Sequence, residues 1–121
     1  MNKELFDFVT ERTDILSTTQ SSKQETKDAA LAWKEAAATK DDAAIQAATD
    51  KLIDFLEGRP VSIDAAIAFA EGPAKEMFGE EAAANLLATQ QERKAQGAKY
   101  CGCEACTAAS ELLAKFGRIS L

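Results

Sequence analysis

An all-α fold is what this sequence predicts, and three observations predict it. Apolar residues recur at spacings of three and four over most of the chain, no run alternates as a half-buried strand does, and Gly or Pro punctuates several joins between the periodic stretches. Alanine is abundant while aromatic residues make up only 7% of the chain, a composition that lets helices approach closely through small side chains. At 121 residues the size fits one domain, 1–121, able to bury about two-thirds of its unfolded surface without disulfides. The expected architecture is a single compact bundle of five to six helices joined by short Gly/Pro-containing connections.

Taken in order, residues 2–18 place Leu5, Phe8, Val9, Ile15 and Leu16 at helical spacing, with Arg12 able to lay its aliphatic stem along the edge of the stripe. The polar run Ser17 to Ser22 reads as a turn, and Ser22 with Glu25 fits a capping box for a second helix reaching about Thr39. Its apolar face is thin, and Trp33 is the large residue around which small neighbours pack. Thr39 with Asp42 resembles another N-terminal cap. Ile45, Ala48, Leu52, Phe55 and Leu56 then form the clearest stripe in the chain, stopped by Gly58 and Pro60.

Ser62 is expected to cap a short helix, Ile63 to Glu71, apolar on most sides and therefore placed at the centre of the bundle. Pro73 to Phe78 can make a brief helix ended by Gly79. Glu80 to Gln96 is a long helix with Ala83, Leu86, Leu87 and Gln90 on one side, closed by Gly97. The last helix, about Glu104 to Phe116, turns Ala109, Leu112, Leu113 and Phe116 inward before Gly117. Phe8, Phe55, Phe69, Phe78 and Phe116 all read as core.

The formal charge of −6 repels phosphate backbones and argues against a nucleic-acid partner. It is unevenly spread. Residues 92–121 are net positive, with Arg93, Lys94, Lys99, Lys115 and Arg118 against Glu92, Glu104 and Glu111. The N-terminal stretch mixes acids with apolar residues, unlike a secretion signal, and no apolar run approaches the roughly 18 residues of a membrane span. A cytoplasmic protein with no membrane partner is the expectation. Histidine is absent, which removes imidazole-based catalysis, and the carboxylates of Asp41, Asp42, Glu80 and Glu81 sit at helix starts, where they complement the dipole.

The chemistry concentrates in Tyr100 to Cys106, where all three cysteines lie within six residues. Cys103 and Cys106 form C-x-x-C at a predicted helix start, where unpaired N–H groups and the helix dipole favour thiolates, as do neighbouring cations. Cys101, made mobile by Gly102, can swing in as a third donor. A soft-metal site on Cys101, Cys103 and Cys106 is the leading expectation, with zinc ahead of copper(I) and an iron–sulfur cluster. The missing fourth donor is Glu104 or a carboxylate from another helix, a water, or a sulfur from a second chain, in which case a homodimer completes the site.

The same atoms support thiol–disulfide exchange by Cys103 and Cys106, with Cys101 as a third partner. They also fit three passive thiols, since Cys106 lies one turn before Ala109. Tyr100, directly before the cluster, could shield it or hydrogen-bond near a sulfur.

Through Lys99-Tyr100-Cys101-Gly102-Cys103-Glu104-Ala105-Cys106 the chain resembles a group of small bacterial all-helical proteins that carry Lys-Tyr-Cys-x-Cys-x-x-Cys just before a last helix. The similarity extends loosely over the whole chain, including Leu5, Phe8, Val9 and the stretch Ile63–Ala70. Some members are labelled heat-shock or chaperone-like proteins. The resemblance thus implies an all-helical chain without an agreed activity, and adds an interaction or chaperone-like module with an unidentified protein partner as a further alternative. No Gly-rich phosphate loop accompanies it.

Overall fold

Helical periodicity becomes helix along most of the chain. The computed structural model describes residues 1–121 and contains α1 (Lys3–Thr18), α2 (Gln24–Ala38), α3 (Asp42–Leu56), α4 (Ile63–Glu71), α5 (Pro73–Phe78), α6 (Glu80–Ala95) and α7 (Glu104–Lys115). There are seven helices where five to six were expected. The brief α5 stands as an element of its own because Pro73 starts it, where a missing N–H costs nothing, and Gly79 at φ 90° stops it. No helix is long and apolar enough to cross a membrane.

Two of the connections contain neither Gly nor Pro. Residues 19–23 join α1 to α2, and Thr39-Lys40-Asp41 joins α2 to α3, with Lys40 itself taking the left-handed conformation at φ 58°. The caps differ from expectation at the same places. Lys23, not Ser22, is the N-cap of α2 and makes no side-chain cap hydrogen bond. Asp41, not Thr39, caps α3, its carboxylate accepting from the Ala43 N–H at 3.1 Å. Thr39 instead accepts from the Asp41 N–H through its hydroxyl, which positions the capping residue rather than the helix. Ser62 caps α4 as expected, accepting from the Ala65 N–H at 3.1 Å.

The helices fall into two groups. α1 packs on α2 and α7, α2 on α3, and α3 on α7, which makes a four-helix bundle from the two ends of the chain. Its core is one continuous cluster of Val9, Leu16, Ala30, Trp33, Ile45, Leu52, Ile53, Leu56, Leu112 and Leu113 with three alanines of α7. Trp33 sits at its middle, donating from Nε1 to the Thr49 hydroxyl at 2.8 Å, while Thr49 donates onward to the Ile45 carbonyl. Such a pairing is what lets an indole N–H be buried without penalty. Arg12 lies over the Phe8 ring at 3.9 Å and reaches Glu111 of α7 at 2.8 Å, so its stem covers apolar surface while its head ties two helices.

α4, α5 and α6 pack on one another and on no helix of the bundle. This places α4 away from the centre where the sequence put it. Only Ile63, Ala66 and Ala70 of α4 are buried, against α6, because an alanine-rich helix shows so little apolar surface that water on its other sides is tolerated. Phe78 is likewise 57% exposed rather than core, touching Phe69 edge-on at the outer end of the lobe.

A short neck connects the lobe to the bundle. Residues 61–63 run antiparallel to 99–101, with the Ile63 N–H donating to the Lys99 carbonyl at 2.9 Å and the Cys101 N–H to the Val61 carbonyl at 2.7 Å, around the paired residues Ser62 and Tyr100.

Candidate metal centre

The three cysteines stand where that neck enters the bundle, and the local sequence explains how each is held. Cys103 is the N-cap of α7, in extended conformation, and its sulfur accepts from the Cys106 N–H at 3.3 Å. C-x-x-C at a helix start is chelating for this reason: the first residue caps the N–H of the fourth, so both side chains gather over the same turn. Cys101 is fixed differently, by its backbone bond to Val61 across the neck. Ser21 of the α1–α2 connection caps the same helix end from outside, its hydroxyl accepting from the Ala105 N–H at 3.0 Å.

The outcome is three free, half-buried thiols whose sulfurs all lie within 4.8 Å of one another, close enough to hold a metal ion. Tetrahedral zinc with sulfurs at about 2.3 Å needs sulfurs about 3.8 Å apart, so a closure of about 1 Å, within rotamer adjustment, completes three corners. No carboxylate joins the group, Glu104 included, so the chain itself offers three donors of one soft kind. Tyr100 contributes its backbone, its carbonyl accepting from Arg93, and makes no hydrogen bond to a sulfur.

Gly102 has a role other than mobility. It does not occupy the left-handed region. A methyl group there would stand 2.6 Å from the Arg93 guanidinium carbon, so glycine is what allows the arginine of α6 to lie against the turn between Cys101 and Cys103. Arg93 Nη2 donates to the Tyr100 carbonyl at 3.0 Å and holds the charge in that place.

Electrostatics divide the thiols. A hydrogen bond from the Cys106 thiol is the largest cause that lowers Cys101 to about 5, aided by bonds from Cys103 and by the Arg93 charge and opposed by burial. Cys106 is pushed up, first by that bond to Cys101 and then by burial, although the Val61 N–H points at its sulfur from 3.5 Å. Cys101 is therefore the more acidic thiol of the two and Cys106 the less acidic. Three thiolates around a divalent ion would carry a single net negative charge, which the nearby Arg93 guanidinium would offset.

Sequence alone brings together Cys101, Cys103 and Cys106, and the structure does too. It adds Arg93, Val61 and Ser21, of which Arg93 figured only in a regional charge excess. Lys94 is bound to Asp64, Lys99 to the Ser120 carbonyl and Arg118 to Asp54 and Glu57. No local pattern could have found Val61, which lies 45 residues from Cys106. Comparison with known proteins finds no matching family model, no similar curated protein and no similar solved structure.

Proposed function

We propose that this chain is a metal-binding protein that takes a soft ion, zinc first, on the thiolates of Cys101, Cys103 and Cys106, leaving the fourth position to a donor from outside the cluster. The observation that carries the reading is the convergence of all three sulfurs within 4.8 Å at the neck. Its role is coordination: the ion would fasten the neck to α7 and present one exchangeable position to a small ligand or a second chain. Anaerobic purification without a metal-binding tag, followed by elemental analysis and thiol counting before and after denaturation, tests it. One zinc, copper or iron per chain with masked thiols is expected, and Cys101→Ser should lower retention. A metal-free protein with three reactive thiols ends the reading, and one metal per two chains at doubled mass assigns the open position to a homodimer.

One observation favours a second reading, thiol–disulfide exchange. Cys101 is lowered to about 5 and is thus a thiolate at neutral pH. It would attack a substrate disulfide and release one substrate thiolate. Cys106 would then resolve the mixed disulfide, losing its proton, releasing the second substrate thiolate and leaving a Cys101–Cys106 disulfide. Peptide mapping of metal-free protein after mild oxidation checks this, and an absence of that bond removes it.

A further inference from the structure

A cleft of about 270 Å³ opens beside the cysteine cluster, between the start of α2, the α3–α4 connection and α7, and Cys106 forms part of its wall. Next to Cys106 in that wall is Val61, whose N–H lies 3.5 Å from the cysteine sulfur. The volume falls below the roughly 300 Å³ at which pockets begin to take drug-sized molecules, so the occupant has the size of a small metabolite.

The charge lining the cleft is positive. In a chain of net charge −6 no acidic residue lines it, while Lys23 and Arg59 do. Arg59 is held in place rather than free: its Nε donates to the Phe55 carbonyl at 2.9 Å, its guanidinium stacks on the Phe55 ring at 3.8 Å, and its contact with Glu25 is a loose 3.4 Å. α2, a 15-residue helix, begins there without a side-chain cap: the Thr26 N–H donates to the Lys23 carbonyl, while those of Gln24 and Glu25 have no partner.

Ser22, the residue type that ordinarily supplies such a cap, lines the same cleft at 9% exposure with its hydroxyl buried and without a partner. An orphaned buried hydroxyl beside an uncapped helix start is a polar environment waiting for an acceptor. The same walls include Leu56 and Ala109, which suit a short aliphatic spacer.

We propose that this cleft holds a small carboxylate-bearing thiol, its carboxylate at Lys23, Arg59 and the start of α2, its sulfur in the fourth position on a metal held by Cys101, Cys103 and Cys106. The inference rests on the metal reading above and names the outside donor. On binding, the thiol would give its proton to solvent and its sulfur would become the fourth donor beside Cys101, Cys103 and Cys106 in place of solvent; no electrons change hands.

The test uses the full chain loaded anaerobically with cobalt(II), whose ligand-field and thiolate charge-transfer bands distinguish three sulfurs from four. It is titrated with 3-mercaptopropionate, with 3-mercapto-1-propanol and with propionate. The carboxylate thiol should convert the spectrum to the four-sulfur form at a concentration about tenfold lower than the alcohol, and propionate should leave it unchanged. In Lys23→Gln/Arg59→Gln the advantage should shrink to about threefold or less, while cobalt uptake and the starting spectrum, which report an intact fold, stay as in the parent.

Equal binding of the two thiols, a spectrum unmoved by either, or a four-sulfur spectrum before any thiol is added overturns the proposal and leaves the metal reading standing. A chain that takes up no cobalt overturns both.

Discussion

The bundle and the lobe draw on the same alanine-rich composition, yet very different amounts of apolar surface hold them. Val9, Leu16, Trp33, Ile53, Leu56, Leu112 and Leu113 are at most 2% exposed in the bundle, and each large aliphatic side chain so buried contributes roughly 1.5–3 kcal/mol. The lobe buries Ile63, four alanines (Ala66, Ala70, Ala74, Ala83) and Gln90, whose amide oxygen has no hydrogen-bond partner. An alanine methyl contributes only about 0.8 kcal/mol, and an unpaired buried oxygen costs about 1–3 kcal/mol. The lobe is thus close to the limit of independent stability. What orients it is the neck, and the thiol cluster sits at the neck. A metal placed there acts where a few bonds decide order, whereas the same metal inside the bundle core would add little to a structure already secure.

The comparison is broken most forcefully by removing the centre of the bundle. Trp33→Ala should destabilise the protein by about 3–5 kcal/mol, since it opens a large cavity and removes the bond to Thr49. Chemical denaturation followed by helical circular dichroism reads that loss. Ala70→Gly in the lobe should cost only about 1 kcal/mol and should leave the midpoint of bundle unfolding in place, its effect confined to faster amide exchange within residues 63–95. If both substitutions shift one common transition, bundle and lobe form a single cooperative unit and the contrast fails.

Zinc should sharpen it. Amide exchange at Ile63 and Cys101, whose N–H groups close the neck, is expected to slow by about 10- to 100-fold on zinc addition. The lobe should follow in part and the bundle hardly at all. The pH dependence has a definite sign. Cys106 is pushed up and keeps its proton at neutral pH, so binding must expel it and zinc retention strengthens as pH rises. As pH falls through about 5, Cys101 takes up a proton as well, and retention is lost more steeply. Calorimetry in buffers of different ionisation enthalpy counts the protons released. No release near pH 7 would mean that the Cys106 thiol is not a ligand.

Much of this fold was legible because helix starts and stops are local. Pro73 to Phe78 and Ile63 to Glu71 appear at the residues expected, and Ser62 caps where serine should. The placement of those helices was not legible. Ile63–Glu71 reads as a core helix by hydropathy, and nothing within the segment says that its only helical neighbours are α5 and α6. The caps at Ser22 and Thr39 failed through a shift of one or two residues: Asp41 takes the helix N–H while Thr39 takes that of Asp41, and α2 starts at Lys23 with no side-chain cap. The cysteine triad was visible as spacing. Its surroundings were not, because Val61 and Arg93 arrive through the neck and the packing of α6.

The finest distinction concerns Gly102. In Gly102→Ala the new methyl would meet the guanidinium at 2.6 Å, and the arginine, as the far end of a flexible side chain, gives way instead of the backbone. Stability should therefore change by less than about 1 kcal/mol, while the charge beside Cys101 moves outward. That charge is the last and smallest of the causes lowering Cys101, behind the Cys106 hydrogen bond. The midpoint of Cys101 alkylation in metal-free protein, expected near pH 5 in the parent, should rise by less than about one pH unit, and Arg93→Gln should reproduce the rise. A midpoint unmoved in both variants would leave the thiol pair indifferent to the lobe. A shift in both would make Arg93 the one side chain through which the position of the lobe is felt at the sulfurs, since it is carried by α6 and bonded at 3.0 Å to the Tyr100 carbonyl.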